Sequence, residues 1–137
     1  MGRILSIDYG KKRTGLAVTD PLQLIAGGLA TVSTSDLFNY LQEYIGRESV
    51  ERIVIGEPRQ PNGQPSENLA RVQQFVNRWR RVMPHIPIEY YDERFTSVLA
   101  HQAMLDAGLK KKARQDKALV DEISATIILE DYLRSRK

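Results

Sequence analysis

Residues 5–18 read L-S-I-D-Y-G-K-K-R-T-G-L-A-V. An apolar run ends on the carboxylate of Asp8, a basic turn follows through Gly10, Lys11, Lys12, Arg13 and Gly15, and a second apolar run begins. Two short apolar runs joined by a tight turn predict an antiparallel hairpin. An aspartate at the head of a hydrophobic strand costs on the order of several kcal/mol unless a cation or hydrogen bonds compensate. The glycine-rich basic turn beside it can hold phosphate oxygens. A carboxylate for metal next to donors for phosphate is the minimal equipment of a phosphoryl-transfer site.

Outward from this hairpin, Gly2 to Asp8 and Thr14 to Thr19 are predicted as its strands, and Gly28 to Val32 as a third. Thr34, Ser35 and Asp36 are helix-start residues, and Leu37, Leu41, Tyr44 and Ile45 follow at helical spacing. Arg52 to Ile55, before Gly56-Glu57-Pro58, has the continuous apolar character of a buried parallel strand. Pro58 to Ser66 reads as a loop. After it Leu69, Val72, Phe75, Val76, Trp79 and Val82 trace an amphipathic helix, with Trp79 as a core residue. Ile88 to Tyr91 is a fifth strand. Thr96 or Ser97 starts a helix that stops at Gly108, and Asp116 caps a last helix from Lys117 to about Arg134. Strands alternating with helices in the second half require parallel crossovers, so the sheet is expected to be mixed in an α/β fold. No repeat or boundary divides the 137 residues, which are expected to form one domain.

Three carboxylates stand where propensity alone would not place them: Asp8, Glu93 after the fifth strand, and Asp121 inside the last helix. Asp121, Ala125, Ile128 and Tyr132 fall on one helical stripe, so Asp121 should point at the sheet, whereas Glu122 lies about 100° round the helix and is expected in solvent. Each has a plainer reading. Asp8 could cap its own turn, Glu93 could pair with Arg94, and Asp121 could pair with Lys117 or a first-strand basic residue. Glu57 is a fourth candidate or a solvated loop residue; Asp20 and Asp92 suit turn caps. As a group, oxygen ligands from strand ends and a helix over the sheet could hold two divalent cations over a phosphodiester.

Composition narrows the chemistry. The chain has no cysteine and two histidines, which removes disulfides, thiol chemistry and thiolate zinc sites. His85 sits between prolines and His101 in a helical pattern, and both are expected to be structural or solvated. Any metal should therefore be hard and oxygen-ligated, Mg2+ or Mn2+. No apolar run reaches the roughly 18 residues of a membrane span, and the first residues enter a strand without a signal-peptide pattern, so a cytoplasmic protein is expected. The net charge is only +3, but basic residues cluster at 11–13, 78–81, 110–114 and 134–137. The cluster at Arg78 to Arg81 reads as a solvated helix face. Lys11 to Arg13 and Lys110, Lys111, Lys112 and Arg114 fall in predicted loops and suit contacts to a phosphate backbone.

Four blocks, G-R-I-L-S-I-D-Y-G-K-K-R-T-G-L-A-V-T-D (2–20), I-V-I-G-E-P (53–58), Y-D-E-R-F-T-S (91–97) and D-K-A-L-V-D-E-I-S-A-T-I-I-L-E-D-Y-L (116–133), resemble the YqgF family in order and spacing. These small bacterial proteins are described as Holliday junction resolvases and as nucleases that mature the 5′ end of pre-16S ribosomal RNA. The resemblance implies a ribonuclease H-like fold, a five-stranded mixed sheet in order 3-2-1-4-5 with helices on both faces. It carries the family's acidic residues onto Asp8, Glu93 and Asp121, its basic first turn onto Lys12, Arg13 and Gly15, and a phosphate contact onto Arg94. Gly10 and Lys110 to Lys112 complete the expected phosphate contacts. Glu57 departs from the pattern, since many members have an apolar residue there. The implied activity is metal-dependent phosphodiester hydrolysis on structured RNA, or on branched DNA, by a monomer or homodimer. Two other readings are ATP binding, since the first turn also resembles the phosphate loop of actin-like and sugar-kinase ATPases, and a nucleic-acid-binding module without catalysis. The ATPases close two such domains around nucleotide, and this chain has the length of one.

Overall fold

The computed structural model describes residues 2–58, 62, 64, 66–93, 102 and 117–136. Five strands, β1 (Arg3–Asp8), β2 (Arg13–Thr19), β3 (Ala26–Ser33), β4 (Val50–Pro58) and β5 (Ile88–Glu93), form one sheet in the order β3-β2-β1-β4-β5. The β1–β2 and β2–β3 pairs are antiparallel, and β1–β4 and β4–β5 are parallel. Two helices, α1 (Leu37–Arg47) and α2 (Leu69–Val82), make the crossovers into β4 and β5, and α3 (Lys117–Ser135) follows. The expected helix starting at Thr96 or Ser97 lies outside the described residues.

Alternation along the strands divides the apolar residues between two cores. Leu5, Ile7, Leu16, Ile53 and Ile55 pack with Leu41 of α1 and Val72, Val76 and Trp79 of α2. Ile4, Ala17 and Val54 pack on the other face with Ala125, Ile128, Leu129 and Tyr132 of α3. Helices thus cover both faces, and β1 is buried from Ile4 to Ile7. Trp79 is fully buried, as the helical stripe required, whereas Val82 at the last residue of α2 is 45% exposed.

Strand limits differ from the sequence expectation mainly at β4, which runs through Gly56-Glu57-Pro58 instead of stopping at Ile55. Glu57 pairs with Asp92 and Pro58 with Glu93, so this segment is sheet edge rather than loop. Proline is tolerated there because its missing N–H falls at the last residue of the strand. In β3 the pairing shifts between Leu16–Ala30 and Ala17–Gly28, leaving Leu29 as an extra residue. The bulge restores alternation so that Gly28 and Thr31 both face α3: Thr31 Oγ1 donates to Ala118 O at 2.6 Å.

Candidate functional site

The sheet registers set three residues in a row. Thr31 of β3 pairs with Gly15 of β2, and Gly15 pairs with Asp8 of β1. Directly paired antiparallel residues have Cα atoms about 4.5–5.5 Å apart and present side chains to the same face. Asp8 has the parity of Ile4, which packs under α3, and of Ser6, whose hydroxyl donates to Ala125 O at 2.6 Å. Asp8 therefore stands on the α3 face, half-buried at the carboxyl end of a central strand.

Gly15 explains how α3 reaches this row. A Cβ built there would run into the backbone carbonyl of Asp121 and lie 3.0 Å from the Asp121 Cβ. Any side chain at position 15 would lift the helix away. The missing methyl thus brings Asp121 over the strand next to Asp8, as the helical stripe required. Glu122, expected in solvent, is half-buried instead: its Oε1 would be 2.9 Å from a Cβ on Gly28. The small residues of β3 let α3 lie close enough to cover it.

Asp121 is held by Arg13, whose Nε donates to Asp121 Oδ2 at 2.7 Å. The plainer reading of Asp121 as an ion pair is thus present, with Arg13 as the partner in place of Lys117. The pair is half-open, with side chains 42% and 21% exposed, and such pairs contribute about 0.2–1 kcal/mol. A divalent cation competing for the carboxylate can displace it at small cost. Arg13 keeps further N–H donors for an anion, because a guanidinium carries five.

The basic turn is built around Thr34. Its Oγ1 donates to Gly10 O at 2.7 Å, its N–H donates to Lys12 O at 2.9 Å, and its hydroxyl meets Thr14 Oγ1 at 2.8 Å. A Cβ on Gly10 would strike the Arg13 carbonyl, so only glycine fits this bend. Lys11, Lys12 and Arg13 are exposed on its outside. In the sequence Thr34 reads as a helix-start residue; its part in anchoring a turn more than twenty residues earlier had no local signal.

Residue 93 closes β5 with its backbone paired to Pro58, and the Glu93 side chain lies outside the described atoms. Arg94, Lys110, Lys111, Lys112 and His101 also lie outside the described residues. Glu57 has the parity of Ile53 and Ile55, which pack against α1 and α2, so it belongs to the face opposite Asp8. Its charge there helps burial push the Tyr90 phenol up, against Arg80, which pulls it down. Asp20 is a turn cap: its carboxylate accepts the N–H groups of Leu22, Leu24 and Ile25 at 2.8–3.0 Å. These bonds hold its pKa below the usual carboxylate value. Among the described residues no group of three or more acidic or histidine ligands is assembled. The donors in place, the carboxylates of Asp8 and Asp121 with no imidazole beside them among the described residues and no cysteine in the chain, fit a hard cation and no soft one.

A family model described as RuvX: Holliday junction resolvase matches residues 2–135. A protein of Phocaeicola vulgatus named "Putative pre-16S rRNA nuclease" is 64% identical over 137 residues, covering 100% of this chain and 99% of its own. A Parabacteroides distasonis protein of the same name is 61% identical, with 100% and 98% covered. Among solved structures, Thermus thermophilus RuvC matches with a TM-score of 0.56 at 18% identity, over 98% of this chain and 95% of its own. RuvC in complex with a Holliday junction substrate gives 0.55 at 18%, over 99% and 96%. The RuvC likeness establishes the ribonuclease H-like fold expected from the sequence, and the family match and the close relatives establish that this chain belongs to the RuvX (YqgF) family.

Proposed function

We propose that this protein is a divalent-metal-dependent nuclease that hydrolyses phosphodiester bonds in structured RNA, with the 5′ leader of pre-16S ribosomal RNA as its substrate. The observation that carries the reading is the convergence of Asp8 and Asp121 on one sheet face, made possible by Gly15. Position 93 has the parity of Tyr91, which packs against the α3-side core, and it ends a strand beside β4. Asp8, Glu93 and Asp121 would hold Mg2+ or Mn2+. When bound, such cations stabilise charge on the phosphate oxygens and lower the pKa of a bound water.

The chain's own residues do the rest. Arg13 keeps Asp121 oriented, and with Lys12 and the Gly10 turn it meets the negative charge of the phosphate. Arg94 and Lys110 to Lys112, outside the described residues, would add further phosphate contacts. Neither histidine is needed as a base, and His85 is exposed in the turn before β5. No helix among the described residues is long and apolar enough to cross a membrane. Acting on ribosomal RNA, the protein would work in the cytoplasm.

The test is cleavage of a 5′-extended 16S transcript by purified protein with Mg2+ or Mn2+ and with chelator. Metal-dependent cuts in the leader are expected; an inert protein that still binds the transcript would leave only a binding module. Branched DNA, suggested by the description of the family model, is the second substrate to assay. Paired cuts in a junction need a two-fold dimer, so a strict monomer in solution argues for RNA.

A further inference from the structure

On the α1/α2 side of the sheet, a cleft of about 280 Å3 opens between the end of β1, the start of α1 and the outer face of α2. Tyr9, Ser35, Phe38, Arg71 and Arg78 line it. We propose that this cleft binds one nucleotide from a single-stranded segment of the substrate, its base stacked on the Arg78 guanidinium and its phosphate on Arg71. The inference deepens the nuclease reading and rests on it.

The Arg78 guanidinium carbon lies 4.1 Å from the centre of the Phe38 ring. One face of that planar cation is thus seated on an aromatic ring. Guanidinium planes, like aromatic rings, are platforms for unstacked bases. Phe38 is backed in turn by Trp79 at 5.3 Å and Phe75 at 6.2 Å, so the platform is supported from the core. Tyr9 packs on Phe75 at 5.6 Å and forms a second wall.

Arg71 and Arg78, two turns apart on α2, border the cleft without a carboxylate within 4.0 Å among the described residues. Arg71 donates to Asn68 Oδ1 at a long 3.5 Å. Two cations at the mouth of a partly aromatic cleft call for an anion with a flat apolar group, which a nucleotide supplies. At about 280 Å3 the cleft is at the small end of ligand sites, enough for one such unit.

Position favours nucleic acid over a free metabolite. Tyr9 directly follows Asp8, and Asn68 Nδ2 donates to Tyr9 O at 2.7 Å, locking the start of α2 to the site strand. The cleft and Asp8 lie on opposite faces of one sheet edge, at the carboxyl ends of the strands where open α/β sheets bind ligands. A single strand crossing the basic turn can reach both.

The experiment uses the full chain with Asp8→Asn, so that RNA stays intact, and measures fluorescence anisotropy with a blunt RNA hairpin and with hairpins bearing a 5′ or a 3′ single-stranded tail. One tail should tighten binding, and Arg78→Ala should reduce the tailed-to-blunt affinity ratio about tenfold, the scale of one stacked base. Arg78→Lys keeps the charge but lacks the plane and should behave like the alanine variant. Equal binding of blunt and tailed hairpins, or full rescue by Arg78→Lys, overturns the nucleotide cleft while leaving the nuclease reading intact. A parent that binds none of the hairpins overturns both.

Discussion

Asp8 faces α3 at the carboxyl end of β1, and the proposed function makes its carboxylate a metal ligand. Replacing it with asparagine keeps the size, removes the charge and exchanges one acceptor oxygen for an NH2 donor. Asp8→Asn should therefore abolish metal-dependent cleavage while binding of the transcript survives or tightens, because one negative charge facing phosphate is gone. Parallel cleavage and gel-shift assays check this, with circular dichroism to show that the variant folds. Asp20 illustrates an acid with a purely structural role. Its native pKa is depressed by the backbone N–H groups of Ile25, Leu24 and Leu22. Such a group adds stability above its unfolded pKa of about 3.9, and the contribution disappears as pH falls through the lower native value. Asp20→Asn should lower Tm near neutral pH and flatten the fall of Tm below about pH 4, as thermal melts across that range would reveal. In the sequence both aspartates end an apolar run. The strand register is what separates the one that opens onto α3 from the one folded into its own turn.

At the scale of elements, the site depends on how closely α3 lies on β2. Gly15→Ala would place a methyl group into the backbone of Asp121. Overpacking of this kind costs about 1–3 kcal/mol, so a clear drop in the urea midpoint is expected, together with loss of cleavage as Asp121 is pushed off the row. An unchanged midpoint would mean that α3 shifts freely. The helical stripe through Asp121 and the alternation along β1 were readable because each follows a short period along one element. The closeness of two elements was not: Gly15 read as a turn residue, and Gly28 gave no sign that it would admit Glu122 beneath the helix. The same limit hid Thr34, whose bonds to Gly10 and Lys12 join segments far apart in the chain. Glu57 was read toward the loop because Gly-Glu-Pro resembles a strand exit. Pairing with β5 carries the strand three residues further, to Pro58, and turns Glu57 toward α2.

For the molecule as a whole, a modest net charge of +3 conceals basic clusters, of which Lys11 to Arg13 are exposed at the turn between β1 and β2. Substituting Lys110, Lys111 and Lys112 together with alanine should weaken RNA binding and lower the slope of log affinity against log salt by up to about 2–3. A slope equal to that of the parent would remove this segment from the interface. A mixed sheet was legible from the alternation of strands and helices, whereas its order and the use of both faces came from the resemblance of the motif blocks. The aromatic cleft was not, since Tyr9, Phe38 and Arg78 belong to three separate segments and each looks ordinary alone. The arrangement of α3 bears also on how the protein is made. This helix seals Ile4, Ala17 and Val54 and delivers Asp121, yet it is translated after every other described element. A nascent chain halted before it would lack this cover over Ile4, Ala17 and Val54 and would lack Asp121, one of the acids proposed to hold the metal. On that proposal, cleavage waits until the helix has emerged and docked.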